Sequence, residues 1–238
     1  IYMGHRVRLS GMLGALTIAD YRPRLRFYIE IARQGIPASL NMLTVAVGIF
    51  VITYYVSQFG KEAVAAYGIA TRVEQIMLLP TIGLNIAALT LIGHNYGARQ
   101  FGRVKEIYAV CMKYGLGLMA IGLVVLFLFA GHFMRLFTSD ESVISIAVPY
   151  LHIAAFVFWA YVIMFLTTAL LQGLKRPMFA VYIGIYRQII APIILFWLLS
   201  VYLGLGIGGI WYGVFLVNWS ATAISLWYAH SVLKKVHL

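Results

Sequence analysis

Long stretches without a formal charge are the feature that most constrains this chain. Four of them are 34–60, 75–98, 114–134 and 142–174. Between 177 and 233 the only formally charged residue is Arg187, and a glycine-rich segment at 204–209 divides that stretch in two. A transmembrane helix needs about 20 predominantly apolar residues, so each stretch is long enough to form one. The sequence therefore predicts six spans, near 36–58, 66–94, 107–130, 143–172, 179–203 and 209–233.

The composition indicates that lipid is the solvent for most of the chain. Hydrophobic residues make up 63% of the 238 residues and charged residues only 11%, and the mean hydropathy is +0.91. A soluble domain usually carries about 25% charged residues. Inside a bilayer the backbone polar groups must bond to one another, which restricts spanning segments to helices or closed barrels. We therefore expect an all-α, polytopic protein of the cell membrane, with a six-transmembrane-helix bundle at 35–238.

The distribution of lysine and arginine predicts the orientation of the spans. If the N-terminus is cytoplasmic, only Lys61 and Arg135 fall in the outer loops. The cytoplasmic set is then Arg6, Arg8, Arg22, Arg24, Arg26, Arg33, Arg99, Arg103, Lys105, Lys113, Lys175, Arg176, Lys234 and Lys235. Both termini are thus predicted to be cytoplasmic. The formal charge of +11 is explained by this topology and by contact with membrane lipids, and no motif points to a nucleic-acid partner.

The first 34 residues are expected to form a separate basic connector in the cytoplasm. Within it, 22–33 has the pattern of a short basic amphipathic helix lying on the inner membrane surface. An ordinary cytoplasmic linker fits the same residues equally well. The chain opens at Ile1 with an interrupted basic segment, which suggests a piece of a longer protein.

Three groups of residues carry a resemblance to a known family. They are ARQGIPASL at 32–40, PTIGLN at 80–85 followed by GHNYGAR at 93–99, and LQGLKRPM at 171–178. In this order and spacing they resemble the C-terminal six-helix lobe of MATE (multidrug and toxic compound extrusion) transporters. The resemblance implies a twelve-helix transporter made of two bundles, with the N-terminal six-helix lobe missing from this chain. It also implies export of cationic or amphipathic small molecules in exchange for Na⁺ or H⁺, with no other cofactor.

Arg187 is the first candidate site residue, because a charge at the bilayer centre costs at least about 2.5–3.5 kcal/mol. It lies ten residues after Pro177, or about 15 Å into the membrane. We expect it to face the interior of the bundle, although its long stem could instead reach the inner surface. Residues at the same depth on other spans form a predicted polar layer, in which Asn85 is the expected neighbour of Arg187. The remaining members of the layer are Asn41, Thr44, Thr167, Asn218 and Thr222.

Glu74 is the only acidic residue within the apolar stretches, and it shares one helical face with Thr81 and Asn85. A carboxylate beside neutral oxygens can bind Na⁺, bind a proton or attract a cationic drug. Glu74 also lies about 33 Å along the helix from Tyr96, near the predicted outer boundary, so an interfacial carboxylate is the alternative. That depth argues against direct pairing with Arg187. NorM-type members of the family carry a cation-binding carboxylate in the first helix of this lobe, and here 36–58 has none.

Other function classes find less support in the sequence. A lipid-linked oligosaccharide flippase shares the superfamily architecture and would show a more cationic cavity, and a six-helix solute channel is a further alternative. The Gly-x-Ser-x-Gly motif of serine hydrolases and the His-Glu-x-x-His motif of metalloproteases are both absent. The single cysteine, Cys111, argues against a cysteine-based metal site, which needs several thiolate ligands. We therefore expect a transporter with no enzyme activity and no metal centre.

Overall fold

The computed structural model describes residues 25–235, except for the side chains at 26, 27, 30, 34, 38 and 235. All regular structure in this range is helical, and six helices are long and apolar enough to cross a membrane. They are α1 (Leu25–Ser57), α2 (Lys61–Gly97), α3 (Phe101–Arg135), α4 (Glu141–Gly173), α5 (Met178–Tyr202) and α6 (Gly206–Lys235). The predicted all-α membrane fold is confirmed. Several helices extend beyond the predicted spans, because their polar ends continue the helix past the apolar segment.

The chain divides into two compact units, residues 1–36 and residues 37–238. In the first unit, the described residues form the opening turns of α1. Most of the predicted connector, residues 1–24, lies outside the described residues, so its amphipathic character remains a prediction. The second unit contains the rest of α1 and the other five helices.

Helix α4 is the central helix of the second unit. It contacts α2, α3 and α6, and it carries more buried residues than any other described helix. Its sequence has no charge between Glu141 and the loop after Gly173 and is apolar on all sides, which is typical of a helix surrounded by other helices. Within the part of the chain that the structure describes, helix α3 packs mainly on α2 and α4, and large apolar side chains such as Ile121 and Leu128 are exposed on it. That exposed face suits contact with lipid.

Short connections join consecutive helices of the second unit in antiparallel order. Arg99 and Lys175 adopt positive φ values of 59° and 61° where α2 and α4 end. Gly60 (φ 98°) precedes α2. Asp140 caps α4, because its carboxylate accepts two hydrogen bonds from Ser142. The serine hydroxyl donates one at 2.6 Å, and the serine backbone amide donates the other at 2.9 Å. These two bonds lower the pKa of the exposed Asp140 carboxyl below its ordinary value.

Helix α5 is irregular where the other spans are regular. It consists of α-helix at Met178–Ile185, a π-helical turn at Tyr186–Ile190, α-helix at Ala191–Phe196 and a second π-helical turn at Trp197–Tyr202. Pro192 provides a reason for the first π-helical turn, because a proline has no amide hydrogen and its ring clashes with the carbonyl four residues earlier. π-helical turns occur frequently at functional sites, and this one contains Arg187.

Candidate functional site

A cavity of about 640 Å³ lies inside the second unit, between α2, α4, α5, α6 and residues 45–53 of α1. This volume falls in the range of roughly 300–1,000 Å³ that is typical of small-molecule sites. Both apolar and polar side chains line the cavity. The polar and aromatic lining residues include Thr53, Tyr67, Thr71, Arg72, Glu74, Gln75, Tyr150, Tyr161, Phe165, Arg187, Gln188 and Asn218.

Glu74 lies in the cavity wall and is only 6% exposed. Its Oε2 atom accepts a hydrogen bond from the hydroxyl of Tyr150 at 2.6 Å, a short distance that suits a hydroxyl bonded to a carboxylate. The rings of Tyr67 and Trp211 pack against Tyr150, with centroids 5.5 and 4.8 Å from its ring. The structure thus buries Glu74 between the helices of the bundle, and its depth in the bilayer stays a prediction.

Arg187 reaches the same cavity from the π-helical turn of α5. Its Nη1 atom donates a hydrogen bond to Oδ1 of Asn218 at 3.0 Å, and its guanidinium carbon lies 5.7 Å from the centre of the Tyr161 ring. The side-chain amide of Asn218 donates in turn to the carbonyl of Val214 at 2.8 Å, which fixes its oxygen toward the arginine. The predicted interior orientation of Arg187 therefore agrees with the structure. Its neighbour is Asn218 on α6, and the expectation of Asn85 in that place was wrong.

The two opposite charges of the cavity do not form an ion pair. Within the described residues, the salt bridges are Lys61 with Glu62 and Arg135 with Glu141, both outside the cavity. Glu74 and Arg187 both line the cavity, and no salt bridge joins them. A third charged residue, Arg72, also lines the cavity and is exposed.

Thr81 and Asn85 lie seven and eleven residues after Glu74, so all three share one face of α2, on which Glu74 and Thr81 are buried. Thr81 is fully buried, and its hydroxyl has no hydrogen-bond partner among the described residues. The side-chain oxygen of Asn85 is also buried and has no hydrogen-bond partner among the described residues. Neither residue lines the cavity. They lie about two and three helical turns farther along α2 than Glu74.

Asn41 and Thr44 also lie away from the cavity. Their side-chain oxygens approach Gly184 on α5 so closely that an added Cβ there would lie 2.8 Å from each. The hydroxyl of Thr44 donates to the carbonyl of Asn41 at 2.7 Å. In this way they belong to the contact between α1 and α5. The predicted single polar layer is therefore wrong.

The other members of that layer are also dispersed. Thr167 shares a 2.9 Å hydrogen bond with the hydroxyl of Tyr108, in the contact between α3 and α4. The hydroxyl of Thr222 bonds to the carbonyls of Asn218 at 2.8 Å and Ala160 at 3.1 Å. These bonds join helices and leave only Asn218 beside Arg187.

Sequence reasoning missed Tyr150, Tyr67 and Trp211 as members of the site. Tyr150 lies 76 positions from Glu74 and is one of 16 tyrosines, so nothing in the sequence distinguished it. Among the described residues there is no group of three or more His, Cys, Asp or Glu side chains that could hold a metal ion. Any cation bound at Glu74 would therefore use neutral oxygens for its other ligands.

Known proteins resemble this chain over most of its length. A probable multidrug resistance protein, YoeA, from Bacillus subtilis is 25% identical over 188 residues, which cover 78% of this chain and 40% of that protein. The multidrug export protein MepA from Staphylococcus aureus is 29% identical over 182 residues, with coverages of 76% and 40%. The matching part of the chain thus covers less than half the length of these relatives.

Solved structures show the same fold. A MOP superfamily transporter from Pyrococcus furiosus superposes with a TM-score of 0.86 at 20% identity, covering 98% of this chain and 54% of that one. An outward-facing multidrug resistance MATE family transporter gives a TM-score of 0.85 at 22% identity, with coverages of 93% and 50%. The chain therefore matches one lobe of such a transporter. The MatE family model matches residues 37–198, and the chain belongs to the MatE family.

Proposed function

We propose that this chain is the C-terminal lobe of a membrane transporter that exports cationic or amphipathic organic molecules in exchange for H⁺ or Na⁺. MatE family members are transporters and not enzymes, and the relatives YoeA and MepA are named for multidrug resistance and export. The complementary six-helix lobe would be a separate segment or chain, since the match covers about half of each solved transporter.

The observation that supports the proposal is a carboxylate in a cavity within the membrane-spanning bundle. Glu74 contacts the cavity and is held by the hydroxyl of Tyr150. A carboxylate that is nearly buried can exchange a proton or a monovalent cation with water in the cavity, and either event changes the charge of the cavity. Such a change is what links ion entry to substrate release in an antiporter.

Export of ethidium from proteoliposomes under an imposed H⁺ or Na⁺ gradient tests this function. The complete transporter should export the dye under one of the two gradients, which identifies the coupling ion. Glu74→Gln keeps the shape of the side chain and removes its charge, and we expect it to slow gradient-driven export about tenfold or more. Glu106→Gln removes an exposed carboxylate on α3 and should export at the normal rate. Normal export by Glu74→Gln would contradict the assigned role of Glu74.

The proposed orientation places both ends of the chain in the cytoplasm. Single cysteines at Lys61 and Arg103, in a Cys111→Ala background, lie at opposite ends of the bundle, because α2 separates the two positions. A membrane-impermeant maleimide added to intact cells should label Lys61→Cys and spare Arg103→Cys. The reverse labelling pattern would invert the proposed topology.

The cationic lining of the cavity favours a second candidate function. Arg72 and Arg187 both line it, and a lipid-linked oligosaccharide flippase of the same superfamily would need such residues to bind phosphate. Such a flippase would translocate its lipid without exporting ethidium, so the same proteoliposomes separate the two functions.

A further inference from the structure

The formal charge of the cavity is positive. Of the ionisable acids and bases in its lining, Arg72 and Arg187 are cationic and Glu74 alone is acidic. The other four acids with described side chains are Glu62, Glu106, Asp140 and Glu141, and none of them lines the cavity. A site built only to attract organic cations would not carry two guanidinium groups.

The Arg187 guanidinium has donor capacity left over. It carries five N–H donors in a planar fork. Among the described residues it makes one hydrogen bond, to Asn218, and one contact with the face of the Tyr161 ring. Neither partner carries a charge. Glu74 lines the same cavity but forms no salt bridge with Arg187, so the remaining donors can bind an anion from the cavity.

The surroundings of Arg187 also suit a flat apolar body. The rings of Tyr161 and Phe165 lie parallel enough to stack, with centroids 5.8 Å apart and planes 26° apart, and both line the cavity. Asn218 is fixed by its bond to Val214 and holds the guanidinium from one side. The site is therefore built before any ligand arrives, which lowers the entropy lost on binding.

We propose that this cavity binds amphipathic molecules that carry an anionic group, a carboxylate or a phosphate, with the anion on the Arg187 guanidinium and the planar or apolar body against Tyr161 and Phe165. This inference rests on the proposed transport function and narrows its substrate class. Glu74 stays available for the coupling ion or for a cationic group on the same substrate, so zwitterions fit as well as anions.

A matched pair of dyes tests the inference in the complete transporter, purified in detergent. Rhodamine 110 carries a free carboxylate, and rhodamine 123 is its methyl ester with the same ring system. We expect rhodamine 110 to bind about tenfold or more tightly than rhodamine 123, measured by fluorescence polarisation near pH 7.5. Arg187→Gln should abolish this preference while still binding rhodamine 123, which shows that the variant is folded.

Two further variants separate charge from geometry. Arg187→Lys keeps the positive charge and loses the planar fork, so it should retain part of the preference. Arg103→Gln removes a positive charge from an exposed position of α3 outside the cavity and should retain all of it. Equal or tighter binding of the ester, no binding of rhodamine 110, or an unchanged preference in Arg187→Gln would each overturn the inference.

Competition by farnesyl phosphate and farnesol distinguishes the two sources of the anion. Displacement of rhodamine 110 by the phosphate but not by the alcohol would assign the anion to a lipid phosphate. Displacement by neither would assign it to small carboxylates, and displacement by both equally would count against recognition of an anion. Because binding is measured without a gradient, a failed dye preference is distinct from a failure of ethidium export, which would contradict the proposed function itself.

Discussion

Replacing Tyr150 by Phe should destabilise the protein through Glu74. The mutation deletes only the hydroxyl that donates to Oε2 of Glu74 at 2.6 Å, and the ring contacts with Tyr67 and Trp211 are retained. A hydrogen bond to a charged group contributes about 1.5–3 kcal/mol, whereas one between neutral groups contributes about 0.5–1.5 kcal/mol. In a Glu74→Gln background the acceptor is neutral, so the same deletion should cost about 1 kcal/mol less.

A double-mutant cycle measures that difference. The free energy of unfolding of the wild type, both single variants and the double variant is obtained by titration with SDS in mixed micelles. We expect a coupling energy of about 1 kcal/mol, which exceeds the roughly 0.3–0.5 kcal/mol seen for independent sites. Tyr182→Phe removes an exposed hydroxyl on α5 and should leave stability unchanged. If Tyr150→Phe costs the same in both backgrounds, the carboxylate is not a charged acceptor for Tyr150.

Three smaller predictions concern stability in the same detergent system. A Cβ at Gly209 would lie 2.7 Å from backbone atoms of α5, so Gly209→Ala should cost about 1–3 kcal/mol of unfolding free energy, whereas Gly208→Ala meets nothing within 4 Å and should be neutral or stabilising. The hydroxyl of Thr81 is buried without a partner among the described residues, so Thr81→Val should be neutral or stabilising, and Thr222→Val, which loses two hydrogen bonds, should destabilise. Because the folded-state pKa of Asp140 is lowered, its capping contribution is present above the unfolded-state pKa and is lost as pH falls through the folded-state value. The difference in melting temperature between wild type and Asp140→Ala should therefore be larger at pH 7 than at pH 3.

The fold was predictable because the bilayer leaves few choices. A long uncharged stretch has to span as a helix, since no water is present to satisfy its backbone. The division at 204–209 was predicted from its glycines. The structure ends α5 at Tyr202, just before this segment, and begins α6 at Gly206 within it, with Gly204 and Gly206 at positive φ. The central place of α4 was not predicted, because several spans are apolar on all sides and composition alone does not rank them.

The candidate site was only partly predictable. Glu74 and Arg187 were identified because an ionisable side chain inside the membrane is energetically costly and usually marks a functional site. Asn218 was identified as a member of a layer, but its direct contact with Arg187 was not. Thr81, Asn85, Asn41 and Thr44 were assigned to the same site, and none of them lines the cavity.

For Asn41 and Thr44 the physical cause is that depth along the helix was estimated from the sequence, whereas rotation about the helix axis was not known. Each residue turns the side chain by about 100°, so an asparagine at the right depth points to the cavity on one helix and to a neighbouring helix on another. Helix α5 adds a second source of error. Its π-helical turns at Tyr186–Ile190 and Trp197–Tyr202 change the rise and the rotation per residue, so regular α-helical geometry does not predict where its side chains point. Rotation is fixed by contacts such as those of Gly184 and Gly213, where the small side chain lets α1 and α6 approach α5 closely. The position of Arg187 beside Asn218 therefore depends on where the glycines lie on neighbouring helices. A polar residue can be assigned to the cavity only once these close helix–helix contacts are known.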